Sequence, residues 1–109
     1  MTDKVLSMIG MATRAGKIVS GEFAVEKAIK SQKAFLVIVA TDSSDNSKKN
    51  YSDACHYYET ELCYYGTKET LGNAIGKEYR ASVAILDENF AEAIKKKLAD
   101  VEKLNNGGF

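Results

Sequence analysis

An α/β fold, with one sheet held between layers of helices, is predicted by three features of the 109-residue sequence. Helical and strand-like hydropathy patterns alternate along the chain. Phe35-Leu36-Val37-Ile38-Val39-Ala40 is apolar on both faces and rich in branched side chains, the mark of a central strand covered on two sides. Gly16, Gly66 and Gly76 fall where one pattern gives way to the next.

Each element follows from a local pattern. Val5, Met8, Ile9 and Ala12 form an i, i+3, i+4, i+7 stripe behind Thr2 as N-cap, and Gly16 ends that helix in a left-handed conformation. Lys17 to Ser20 reads as a short strand. A second helix spans Glu22 to Gln32 with Val25, Ala28 and Ile29 inward and Ser20 or Gly21 at its start. After the central strand, Ser47 is the expected cap of a third helix striped by Tyr51, Ala54, Cys55 and Tyr58, followed by a strand at Glu61 to Tyr65 that Gly66 closes. Thr67 starts a short fourth helix with Leu71, Ala74 and Ile75 inward; Gly76 ends it and Ala81 to Leu86 is the last strand. Asn89 and Glu92 have capping-box spacing ahead of a final helix striped by Phe90, Ile94, Leu98, Val101 and Leu104. One domain over residues 1–109 is expected, with 105–109 frayed.

Composition narrows the class. Hydrophobic residues make up 45% of the chain, enough for a core and too many for global disorder. The apolar run around Phe35 to Ala40 is far shorter than the ~20 residues a membrane helix needs, and no basic stretch with an apolar core opens the chain. With Cys55 and Cys63 too few for a disulfide framework, a cytoplasmic protein is expected. Fifteen basic and fifteen acidic residues cancel, but unevenly. Residues 1–33 hold six Lys/Arg against three acids, whereas 34–66 hold two against five. A locally basic end on a neutral chain fits specific binding of a polyanion better than indiscriminate binding.

Catalytic patterns are missing or incomplete. Gly16-Lys17 is half a P-loop, with Met11 at the position of the first glycine and Ile18 where a Mg²⁺-binding hydroxyl is needed. A serine triad would rest on the single histidine, His56. Cys55, His56 and Cys63 have no C-x-x-C spacing and no fourth ligand, so no metal and no cofactor are expected. Asp42 ends a strand but sits in the turn-forming run Asp42-Ser43-Ser44-Asp45-Asn46. No enzyme activity is expected.

Arg14-Ala15-Gly16-Lys17, then Ser20-Gly21, Lys27-Ala28-Ile29, the hydrophobic strand and Leu71-Gly72-Asn73-Ala74-Ile75-Gly76-Lys77 occur in this order, and Asp87-Glu88-Asn89-Phe90-Ala91 follows. In these blocks the chain resembles the kink-turn RNA-binding superfamily of large-subunit ribosomal proteins, above all its small stand-alone bacterial branch, the YlxQ-like proteins. The resemblance implies a three-layer α/β/α sandwich with a mixed four-stranded sheet. It further implies a non-catalytic, ribosomal-protein-like binder of structured RNA, either rRNA or another kink-turn-like RNA, linked to the ribosome or translation. Ribosomal or translation proteins are then possible partners, and neither a membrane nor DNA is.

The same resemblance assigns the contact residues. The first strand-to-helix turn is the reader: Gly21 matches the family glycine and Lys27 the family lysine, with Glu22 between them and Lys17 a further phosphate contact. Arg14 and Lys48 are weaker candidates of the same kind. Where kink-turn readers carry Asn then Glu, this chain has Phe23 and Ala24. Phe23 has two readings, a core aromatic or an exposed ring on which an unpaired base stacks. The second contact segment is Gly76-Lys77-Glu78-Tyr79-Arg80, with Lys77 and Arg80 for phosphate or guanine and Tyr79 for stacking or for covering the sheet edge. Lys95-Lys96-Lys97 reads as a solvated face with Glu92 and Lys96 paired. Two other classes fit the same fold, a protein-interaction or regulatory module and the RNA-holding piece of an rRNA-modifying enzyme.

Overall fold

The computed structural model describes residues 3–106, with side chains placed from Asp3 to Glu102. The elements run α1 (Lys4–Arg14), β1 (Ile18–Ser20), α2 (Glu22–Lys30), β2 (Leu36–Val39), α3 (Asp45–Tyr57), β3 (Leu62–Tyr64), α4 (Lys68–Ala74), β4 (Ser82–Ile85) and α5 (Glu88–Asn106). This is the α/β/α order expected from the alternation. The sheet order is β1-β4-β2-β3, with β4 antiparallel to both neighbours and β2 parallel to β3, so the sheet is mixed.

Period-two alternation along β2 divides the core. Leu36, Ile38 and Ala40 join Val83 and Ile85 under Val5 and Ile9 of α1, Leu71 and Ile75 around α4, and Ile94 of α5. Val37 and Val39 join Ala84 under Val25 and Ile29 of α2 and Tyr51 and Cys55 of α3. All four β2 residues are buried, which is why its sequence is apolar on both faces. Truncating such a residue, Ile38→Ala for example, removes about 2–5 kcal/mol.

Helix starts differ from expectation in three places, each because a neighbouring side chain takes the cap. Asp3 accepts the Leu6 N–H at 3.0 Å and caps α1; Thr2 lies outside the described residues. Ser44, not Ser47, caps α3: its extended backbone turns Oγ onto the Ser47 N–H at 3.1 Å, so Asp45 and Asn46 are helical rather than loop. Asp87, not Asn89, opens α5, accepting the Phe90 N–H at 2.9 Å. Thr67 caps α4 as its position suggested, in a reciprocal box with Thr70. The helix α5 continues to Asn106, so residues 105 and 106 belong to it; Leu104 has no described side chain and the rest of the expected frayed end lies outside the described residues. Within Lys95-Lys96-Lys97 on α5, Lys95 and not Lys96 pairs with Glu92, at 2.9 Å, and it also reaches Glu61 at 2.7 Å, tying α5 to the residue before β3.

Burial also fixes the state of three acidic groups. It pushes the Cys55 thiol up to about 11 and the Cys63 thiol up to about 12, where Glu61 adds to the effect. Burial, then a 2.6 Å hydrogen bond donated to Asp3, raises the Tyr65 hydroxyl to about 12. The unfolded chain ionises first as pH rises, so this stability is whole below the ordinary thiol value of 9.0 and is lost as pH climbs toward about 12. Denaturant midpoints should therefore fall progressively above pH ~9, and both thiols should resist alkylation in the folded protein at pH ~8. A midpoint flat to pH ~11, or rapid native labelling, would contradict these protonation states.

Candidate nucleic-acid interface

Because β1, β2 and β3 run one way and β4 the other, the exits of the first three strands and the entry to the fourth share one edge of the sheet. Gly21 is the pivot there. At φ 89° and ψ 155° it occupies a region that side chains disfavour, and this lets the chain leave β1 and enter α2 in a single residue. Its N–H donates to the Ser82 carbonyl at 3.2 Å and its carbonyl accepts from Val25 at 3.0 Å. No side chain caps the helix, which leaves the N–H groups of Glu22, Phe23 and Ala24 available at the positive end of its dipole. A Cβ on Gly21 would meet nothing within 4 Å, so the surface above the turn is open.

The segment Gly76 to Arg80 is laid beside this turn by two devices. Gly76, at φ 78°, reverses the chain after α4. Gly72 then lets the returning backbone cross α4, since a Cβ there would lie 2.4 Å from the Glu78 carbonyl oxygen and 2.9 Å from the Tyr79 nitrogen. Arg80 closes the arrangement: its Nε donates to Ser20 Oγ at 3.1 Å, its Nη1 to the Tyr79 carbonyl at 2.8 Å, and its backbone N–H to the Lys68 carbonyl at 3.0 Å. Asp42 has a structural post, accepting the Lys68 N–H at 2.8 Å, and Ser43 donates to the Ala81 carbonyl at 3.1 Å. Beneath the turn the buried Tyr51 hydroxyl and Ser82 Oγ lie close without reaching hydrogen-bond geometry. Burial raises the Tyr51 pKa, the Ser82 hydroxyl holds it back, and the carboxylates of Glu22 and Glu26 raise it further.

Seven of the eight expected contact residues gather at this edge. Gly21, Glu22, Phe23 and Lys27 stand on the first turns of α2, and Lys77, Tyr79 and Arg80 on the adjoining loop. Lys17 does not join them. It precedes β1, about 13 Å away along four residues of extended chain, at the opposite edge of the sheet. Phe23 is 83% exposed, which overturns its reading as a core residue. It lies two residues from the buried Val25, a rotation of about 200° around the helix, and so points away from the sheet. Tyr79 is 59% exposed. Phe23, Glu26, Lys27, Lys30 and Ser31 line a shallow groove of about 390 Å³ along α2. Among weaker candidates, Lys48 sits over the Tyr64 ring at 6.0 Å, and Arg14 lines a separate groove between α1 and α4.

Ser20 and Gly72 are the positioning residues that sequence reasoning missed. A glycine inside a helical stripe was the available signal for Gly72. The Ser20 to Arg80 contact joins residues sixty apart and has no local signature. No group of three or more His, Cys, Asp or Glu side chains suited to a metal occurs among the described residues, and His56 is exposed.

Residues 3–95 match the model of the ribosomal protein L7Ae/L30e/S12e/Gadd45 family, and the chain belongs to that family. More particularly, it is 40% identical over 87 residues to the RNA-binding protein YlxQ of Bacillus subtilis, covering 80% of this chain and 87% of that one. It is 37% identical over 93 residues to YlxQ of Enterococcus faecium, covering 85% and 89%. The large ribosomal subunit protein eL8 of Thermoplasma volcanium is 30% identical over 106 residues, covering 95% and 88%. Among solved structures, a Bacillus halodurans protein described as of unknown function superposes with a TM-score of 0.86 at 32% identity, covering 90% of this chain and 99% of that one. The Giardia lamblia 15.5kD RNA binding protein shares the fold, with a TM-score of 0.75 at 20% identity over 95% and 92% of the two chains.

The packing at Gly72 makes a definite prediction. Gly72→Ala should displace residues 76–80 and cost about 1–3 kcal/mol, because backbone rather than a flexible side chain blocks the new methyl group. Amide hydrogen exchange should quicken at Lys77 and Arg80, whose N–H groups bond Gly72 and Lys68 in the native loop. Unchanged protection at both amides would mean the loop does not depend on this contact.

Proposed function

We propose that this protein is a non-catalytic RNA-binding protein that recognises a structured RNA internal loop, of kink-turn or related type, in association with the ribosome or translation. The observation that carries the reading is the uncapped start of α2, with open space above Gly21, exposed Phe23 and Lys27 beside it, and Tyr79 and Arg80 held alongside. Family membership supports it, as do the names of the relatives, RNA-binding protein YlxQ and large ribosomal subunit protein eL8.

The chemistry divides between positioning and readout. Free N–H groups at α2 and the Lys27 ammonium bind phosphate, and glycine permits close approach of the backbone. Arg80 spends its Nε on Ser20 and one Nη1 contact on Tyr79, so it presents a held guanidinium whose remaining N–H groups serve a phosphate or a guanine edge. Phe23 and Tyr79 supply π faces for unpaired bases. The phenyl and methyl groups of Phe23 and Ala24 cannot hydrogen-bond the groove edges of sheared G·A pairs, so the reading is of a distorted backbone and splayed bases more than of pair identity.

Restoring polar readers tests this directly. The wild-type protein should prefer a kink-turn RNA over a straight duplex only modestly, whereas Phe23→Asn with Ala24→Glu should gain about tenfold in that preference, equivalent to about 1.4 kcal/mol. Phe23 is exposed, so the exchange removes no core packing. Lys27→Ala should lower the dependence of log affinity on log salt by about one phosphate contact. Titrations at one fixed salt concentration, repeated over a salt series, decide it. Strong wild-type selectivity, or a slope unmoved by Lys27→Ala, would reject the assignment of this face.

A further inference from the structure

We propose that the outward flank of α2, continued by Lys33 and Lys17, is a second phosphate-contact surface that takes the duplex stem adjoining the irregular RNA element bound at Gly21 and Phe23; it rests on the RNA reading above. The helix runs from the loop edge of the sheet back to the opposite edge, packed over β1 and β4. Val25, Ala28 and Ile29 face the sheet, and Phe23, Lys27 and Lys30 form an i, i+4, i+7 row on the outside. That row is about 10 Å long at 1.5 Å per residue.

The row does not stop at the helix end. Gln32, at φ 59°, turns the chain so that the Lys33 N–H folds back onto the Ala28 carbonyl at 2.9 Å. Lys17 stands at the same edge: its carbonyl accepts from Leu86, the residue after β4, while the Phe35 N–H donates to the neighbouring Ile85 carbonyl. The separation that removes Lys17 from the loop edge therefore brings it to the far end of this flank. All four lysines are exposed, and among the described residues none is in an ion pair. Of the residues lining the groove, Glu26 is the one acid. The groove itself holds Lys27 and Lys30 against Glu26, an excess of one on a protein whose formal net charge is zero, and Lys33 and Lys17 add two exposed cations beyond its end.

The chemistry of this flank selects a regular backbone. Lysines are point charges suited to phosphate and blind to sequence, and residues 24–30 offer no aromatic ring on which to stack an unpaired base. A row of about 10 to 13 Å spans a short run of an A-form stem, a few base pairs long. Recognition then has two parts, an irregular element held at the loop edge and a straight helix leaving it along α2.

The test uses a hairpin RNA with tandem G·A pairs in an internal loop, each flanking stem in turn either about ten base pairs long or cut to about two. Wild-type protein is compared with the Lys17→Gln, Lys30→Gln, Lys33→Gln triple variant, whose melting temperature should match wild type because the three side chains are exposed. Shortening one of the two stems should cost wild type about tenfold in affinity and lower its salt slope by about two, the yield of two to three phosphate contacts. The triple variant should bind the long-stem RNA as weakly as wild type binds the short one, and lose nothing further on shortening. Equal losses for both proteins, or a triple variant with wild-type affinity and slope, would overturn the second surface while leaving the first intact. Failure of wild type to bind any of these RNAs would instead remove the RNA reading, and this inference with it.

Discussion

The strand β4 lies between β1 and β2 and runs against both, and the remaining structure of the candidate interface depends on that placement. Its entry delivers residues 76–80 to the edge where β1 turns into α2. Its Ser82 carbonyl receives the Gly21 N–H, and the Ala81 carbonyl receives both the Ala40 N–H and the Ser43 hydroxyl. A buried strand must satisfy its backbone groups within the protein. Here that requirement ties two connections far apart in sequence, β1 to α2 and β2 to α3, to the start of one strand. Arg80, two residues before Ser82, extends the same linkage to Ser20 through its side chain. The candidate surface is thus set by the sheet's own hydrogen bonding, with no need for a rigid loop.

Much of this was legible in the sequence because burial leaves a periodic trace. The stripes of α1, α2 and α3 and the doubly apolar β2 each record two neighbours per turn or per pleat, and the structure buries the residues those patterns select, Val5, Ile29, Tyr51 and Ile38 among them. Helix starts were less legible, because several cap-forming residues stand side by side at each. Ser44 and Ser47, or Asp87 and Asn89, offer equivalent chemistry, and the entering chain direction decides between them. The site follows the same division. Gly21, Lys27 and Arg80 fall at an edge that the alternation of elements predicts, whereas the exposure of Phe23, the distance of Lys17 and the bond from Arg80 to Ser20 are facts of tertiary geometry. Pairwise charge contacts were least legible of all: Lys95 and Lys96 are adjacent, and the position of Glu61 just before β3 selects Lys95.

Neutral net charge is the feature of the chain that fits least with the proposed binding of a polyanion, and its distribution in space resolves this. A Debye length of about 8 to 10 Å makes the local balance decisive and the total nearly irrelevant. Around α2 the cations stand unpaired at the surface. The acids of residues 34–66 do other work: Asp42 holds the start of α4, Asp53 pairs with Lys49, and Glu61 holds Lys95. Carboxylates committed to a helix end or to an ion pair lend less repulsion to an anion beside α2 than free ones would. A surface arranged in this way attracts a polyanion at one face while the rest of the protein stays indifferent to it. Orientation, more than overall affinity, is what such a distribution selects.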